Sequence, residues 1–215
     1  MLKAILWDND GVLVDTEHLY FQATAQVLAQ RQVSLSEEDF IHISLTQGQS
    51  ALALAASTDS ELEALRQKRD TLYAALLESS TVAMDGVHEV LGQLRNRFRM
   101  AVVTGCRRPH FEIIHRQTGL LPFFEFVLVR EDYHHPKPHP EAYLKAVSLM
   151  ELSPDECLVI EDSPRGLQAA SSAGLRCCVI PNRLTAGRDF SKAERVIDHI
   201  GELPALLDNL SLSLP

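Results

Sequence analysis

The chain has 215 residues, 46% hydrophobic and 23% charged, which suits a folded domain with a sizeable core and excludes a disordered or fibrous class. Its 29 acidic residues against 20 basic ones give a formal charge of -9, so most of the surface repels nucleic acid and anionic membranes, and an anionic ligand needs a local cationic site. No apolar run approaches the roughly 18 residues of a membrane span, and MLKAILW is too short and too soon acidic for a signal peptide, so a cytoplasmic protein is expected.

A first strand is predicted over 4–7, ending on Asp8, Asn9 and Asp10. From 17 to 82 no strand pattern follows. LYFQATAQVLAQ and SELEALRQKRDTLYAALLES have helical periodicity, while RQVSLSEEDF and AASTDS read as turns within a small bundle. Strands are then predicted over 100–104, 126–129, 157–160 and 177–180, with a weaker one over 195–199. Helices are predicted between them over 87–97, 109–117, 140–150 and 165–173. Repeated β-α-β units with continuous apolar strands indicate a parallel sheet covered on both faces, a three-layer α/β/α Rossmann-like core. The expected domains are a core of residues 1–16 and 83–215 and an all-helical cap of residues 17–82, inserted after the first strand. The four cysteines, Cys106, Cys157, Cys177 and Cys178, lack CxxC spacing, and the last three are expected to be reduced and buried.

In an open parallel sheet the functional crevice lies at the carboxyl ends of the strands, where Asp8 and Asp10 fall. Two carboxylates so close repel one another, and a bound cation or a proton relieves the repulsion. Gly11 permits the sharp turn that follows. An acidic turn that merely caps a strand would read the same way from this stretch alone. Three further strand ends add to it. Thr104 is followed by Gly105, which exposes backbone N–H groups to an anion; Lys137 stands between Pro136 and Pro138, which stiffen its loop; Glu161 and Asp162 form a second acidic pair. Together they supply hard oxygen ligands for a metal such as magnesium, a fixed cation and a hydroxyl donor.

The stretches WDNDGVLVDTE, VVTG, HPKPHPEAY and VIEDSPRGLQAASSAG, in that order after successive strands, resemble the four motifs of the haloacid dehalogenase-like hydrolase superfamily. The helical insertion resembles the cap of its phosphoglycolate phosphatase and beta-phosphoglucomutase-like branch. The resemblance implies that Asp8 is a nucleophile that takes up a phosphoryl group and that Asp10 is the acid/base. It implies Mg2+ held by Asp8, the Asp10 backbone carbonyl and Asp162, with Glu161 as a direct or water-mediated ligand, and phosphoryl oxygens held by Thr104 and Lys137. Thr16, Lys68, Gly105 and Arg107 are the matching candidates for substrate contact.

Asp10 argues for phosphate esters, because the dehalogenases and phosphonatases of the superfamily lack an aspartate there. Beta-phosphoglucomutase-like members carry a histidine where this chain has Tyr20, and an arginine after a Gly-x-Ser turn where it reads Gly48, Gln49, Ser50, Ala51. The expected activity is therefore hydrolysis of a small phosphorylated metabolite, a monophosphate, by a monomer. A phosphomutase and a non-catalytic regulator that binds a phosphorylated ligand are the alternatives. Cys106 stands where a small hydroxyl residue is common, and His135 and Pro136 precede the lysine where glycine or arginine is frequent. His134, His135 and His139 match no structural zinc spacing, and the intervening prolines are expected to splay them.

Overall fold

The computed structural model describes residues 1–80 and 82–212. Six strands form one parallel sheet in the order β3-β2-β1-β4-β5-β6. They are β1 (Ala4–Trp7), β2 (Arg99–Val103), β3 (Phe126–Leu128), β4 (Cys157–Glu161), β5 (Arg176–Val179) and β6 (Arg195–Val196). The central strands are buried on both sides, and alternate residues serve opposite faces. Ile5, Trp7, Val102 and Ile160 join the core on one face; Leu6, Ala101, Val103 and Val159 join the core on the other.

The first face is covered by α4 (Val87–Leu94), α5 (Arg108–Thr118) and α8 (Leu203–Leu212), the second by α6 (Glu141–Met150) and α7 (Pro164–Ser172). α7 starts sharply after β4: Ser163 caps it, accepting from the Gly166 N–H at 3.1 Å, and Pro164 fills the first turn, where its missing N–H costs nothing. Cys157, Cys177 and Cys178 are buried and reduced, as expected, and Cys106 is half-buried.

Between β1 and β2 the chain builds the helical cap from α1 (Glu17–Ala29), α2 (Glu37–Phe40), two irregular helical turns and α3 (Asp59–Glu78). Leu28, Phe40, Leu52 and Leu65 give it a cluster of its own, while Leu19, Tyr73 and Leu77 pack into the main core. The connection expected as a plain turn over 31–40 is helical in its second half, because the Ser36 hydroxyl caps α2 by accepting from the Asp39 N–H at 3.0 Å. Entry and exit run side by side: Val14 bridges Ala83 in antiparallel sense, and Asp15 N–H donates to the Val82 carbonyl at 2.8 Å. Among the described residues, no helix is long and apolar enough to cross a membrane.

Candidate active site

Strand register sets the level of the site. Trp7 pairs with Val102 on one side and Ile160 on the other, so the next residues, Asp8, Val103 and Glu161, lie at one height at the carboxyl edge. Lys137 joins them from its proline-flanked loop. Its buried Nζ donates to Asp8 Oδ1 at 2.6 Å, Glu161 Oε1 at 2.7 Å, the Val103 carbonyl at 2.9 Å and the Tyr143 hydroxyl at 3.0 Å. Burial opposes its charge, but Asp8 and Glu161 outweigh burial and raise its pKa, so Lys137 stays cationic.

One ammonium does not balance this group. Asp8, Glu161 and Asp162 are all buried, and each offers an oxygen within 4.8 Å of the others. Burial, followed by Glu161, pushes Asp8 up to about 7. Burial, Glu17 and Glu161 push Asp162 well above the carboxylate range. Glu161 alone is lowered, because Lys137 outweighs its burial. Such a set is short of positive charge, and its all-oxygen donors suit a hard divalent cation.

Two glycines make room for the carboxylates. A Cβ on Gly11, whose φ is +84°, would stand 2.4 Å from Asp162 Oδ2. One on Gly166 would stand 1.9 Å from Glu161 Cδ. By donor chemistry, charge and space, these residues fit magnesium.

Asp10 belongs to a separate network. Thr16 donates to its Oδ1 at 2.5 Å, Thr104 to its Oδ2 at 3.1 Å, and Asn9 to the same oxygen at 3.3 Å. Thr16 and Thr104, expected at the substrate and at the phosphoryl oxygens, are fully buried and instead hold Asp10, since a buried hydroxyl takes the nearest charged acceptor. Gly105 and Arg107, the other candidates for substrate contact, line the cleft.

The cleft has a volume of about 410 Å³, with Asp8, Asp10 and Lys137 among the core residues lining it and α1 and α3 among the cap elements. Lys68, expected at the substrate, is exposed and is not among the residues lining this cleft. The buried face of α3 repeats every four residues, Leu65, Arg69, Tyr73 and Leu77, and this phase brings Arg66 and Arg69 to the cleft. Arg69 lies over the Tyr20 ring, 4.5 Å from its centroid, donates to the Tyr20 hydroxyl and pairs with Asp70 at 2.7 Å. Arg107 reaches across from the core to the same Asp70 at 3.0 Å. Burial raises the Tyr20 pKa, so Tyr20 holds its proton. The turn 48–51 lines the cleft and supplies no cation of its own, but the Arg165 guanidinium of α7 stands against Gly48.

Several participants were not anticipated. Asn182 donates to Asp162 Oδ2 and to Glu17 Oε2, each at 2.8 Å, and burial drives Glu17 up to about 8. Tyr143 donates to Glu161 Oε1 at 2.7 Å. The fifth strand end, IPN, carried the signal for Asn182, while Glu17 and Tyr143 already stand within the motifs. Of the histidines beside Lys137, His135 and His139 are not splayed as expected. The rings of His135 and His139 are 4.5 Å apart, because the turn at Lys137 folds the loop back on itself.

Parallel strands that end in clustered carboxylates and a buried lysine beneath a helical cap define a class of capped α/β hydrolases. The chain belongs to the haloacid dehalogenase-like hydrolase family, whose sequence pattern matches residues 5–180. It is 30% identical over 207 residues to protein CbbY of Rhodobacter capsulatus, covering 90% of this chain and 91% of that protein. It is 28% identical over 210 residues to a phosphorylated carbohydrates phosphatase of Thermotoga maritima, covering 91% and 93%. Among solved structures, CbbY of Rhodobacter sphaeroides in complex with xylulose-(1,5)bisphosphate superposes with a TM-score of 0.83 at 26% identity, covering 94% of this chain and 96% of that one.

Proposed function

We propose that the protein is a magnesium-dependent phosphatase that hydrolyses a small phosphate monoester, a sugar phosphate or similar metabolite, through an aspartyl phosphate on Asp8. The observation that carries this reading is Lys137 bonded to both Asp8 and Glu161 at the floor of a capped cleft. The phosphorylated carbohydrates phosphatase and the sugar bisphosphate bound to CbbY support a sugar-like substrate. The arginines facing the cleft suit its oxygen-rich body.

In the first half-reaction an Asp8 oxygen forms a bond to phosphorus as the ester P–O bond breaks, and the Asp10 carboxyl gives its proton to the departing oxygen. In the second, Asp10 takes a proton from water, the water oxygen bonds to phosphorus, and the bond to Asp8 breaks to release phosphate. Thr16, Thr104 and Asn9 hold Asp10 in one orientation for both proton transfers. Lys137 orients Asp8 and offsets the negative charge that gathers on the phosphoryl oxygens. Magnesium, held by Asp8, Asp162 and the Asp10 carbonyl, with Glu161 directly or through water, would supply the remaining positive charge. The cap, residues 17–82 on a core of 1–16 and 83–215, excludes water when closed. The reading includes a cytoplasmic monomer. Tyr20, bound by Arg69 where the phosphomutases carry a histidine, counts against a phosphomutase.

Turnover of a generic aryl phosphate with magnesium, abolished by EDTA, tests the reading, and a screen of small phosphate monoesters then finds the substrate. Asp162→Ala should raise the magnesium needed and lower activity together. Activity that persists in EDTA, or an unchanged magnesium requirement in Asp162→Ala, counts against it.

A further inference from the structure

We propose that His135, His139 and Glu141 form a second metal site, which takes a borderline transition-metal ion such as Zn2+ on the solvent side of the loop that carries Lys137. The inference is independent of the phosphatase reading. One ring nitrogen from each histidine and one oxygen of Glu141 lie within 4.8 Å of one another, so small rotations bring all three to a single ion.

The carboxylate is already fixed. Glu141 Oε1 accepts from the His134 N–H and Oε2 from the His135 N–H, each at 2.8 Å, and His135 Nδ1 lies 2.6 Å from Oε2. The two N–H groups hold Glu141 down at about 2, so it is ionised at every working pH. The histidine rings lie 4.5 Å apart at 34°. Little ordering remains to be done on binding, because the loop between the rings is pinned by Lys137, whose Nζ is buried in the core.

Donor chemistry separates this group from the one at the strand ends. Asp8, Glu161 and Asp162 present oxygen only, the choice of a hard ion. Two imidazoles and one carboxylate, with positions left for water, suit zinc and its neighbours far better than magnesium. His135 and His139 stand two residues before and after Lys137, so an ion bound to both ties the backbone on each side of the lysine. Binding to the folded state alone should therefore stabilise the protein.

The test is a calorimetric zinc titration of the full chain with magnesium saturating. One equivalent of zinc is expected to bind, to raise the melting temperature, and to survive Asp162→Ala. Cobalt in its place should give visible absorption bands that perturb with His139→Ala. His135→Ala/His139→Ala should weaken this equivalent by more than about tenfold, the lower bound for losing even an indirect partner. His135→Gln/His139→Gln should do the same, which keeps polar bulk in the loop, with far-UV circular dichroism as the folding control. Zinc binding that is absent, that persists undiminished in both double variants, or that disappears with Asp162→Ala overturns the proposal.

Discussion

His115 Nε2 lies 2.8 Å from Asn9 Oδ1, which ties a buried imidazole on α5 to the residue between Asp8 and Asp10. Asn9 turns its amide N–H to Asp10, so its oxygen must accept, and Nε2 carries the imidazole proton. Nδ1 then accepts from the Thr118 hydroxyl at 2.8 Å. Both ring nitrogens are thereby satisfied in the neutral form, the form that burial of the ring demands.

A pH dependence of stability follows from that requirement. Burial lowers the His115 pKa to about 4 from an unfolded value near 6.5. Between these values the unfolded state binds more protons, so the stabilisation is complete above about pH 6.5 and is lost as pH falls toward 4. The loss is on the order of 3 kcal/mol. Urea denaturation of wild type and His115→Gln across this range should show the steeper fall in wild type; parallel curves would assign the acid sensitivity elsewhere.

Much of this architecture was legible because parallel strands are buried on both faces. Their apolar runs place β1, β2, β4 and β5 to within a residue, and a parallel sheet then gathers every strand end on one edge, so Asp8, Lys137, Glu161 and Asp162 could be read as neighbours. What escaped depends on packing. The α8 segment has a weak pattern, and it is Leu203 and Leu207 in the main core that hold the helix there. On α3 Arg66, Lys68 and Arg69 are all basic, and only the phase fixed by Leu65 and Tyr73 turns Arg69 inward and Lys68 out. Thr16 was expected at the substrate and Thr104 at the phosphoryl oxygens, but their acceptor, Asp10, is set by the fold.

Gly166→Ala should disable the site from behind Glu161. The added Cβ would overlap Glu161, which cannot move aside without breaking its bonds to Lys137, Tyr143 and Ser163. Overpacking of this kind costs about 1–3 kcal/mol. The variant is expected to melt earlier and to lose most of its turnover, whereas Gly92→Ala, with open space around it, should do neither. Equal behaviour of the two variants would contradict the close fit around Glu161.

The cap is expected to move on the paired crossings near Thr16 and Val82, with Arg107 and Asp70 holding it shut. The arginine is half exposed, so the ion pair should be worth less than about 1 kcal/mol to global stability. Its effect should appear in the opening equilibrium instead. Arg107→Ala should leave the denaturation midpoint nearly unchanged, enlarge the radius of gyration of the ligand-free protein in X-ray scattering, and raise KM. Scattering curves that coincide for both proteins, with and without phosphate, would mean that the cap does not gate.

The roles of Asp8 and Asp10 separate most sharply by substitution. Asp8→Asn keeps the shape of the side chain but removes the attacking carboxylate oxygen, so no phosphoryl-enzyme forms and turnover should vanish. Asp10→Asn leaves Asp8 and its bond to Lys137 in place but removes the proton donor for the leaving oxygen and the base for water, so turnover should fall by roughly 10²–10⁴-fold. An aryl phosphate with a good leaving group scarcely needs that proton. In Asp10→Asn its first step should therefore survive while hydrolysis stalls, and phosphorylated Asp8 should accumulate. Rapid quench followed by mass spectrometry of the peptide containing Asp8 detects the added phosphoryl group. Wild-type turnover in Asp8→Asn, or a label found on a histidine such as His135, would remove the basis for assigning Asp8 as nucleophile.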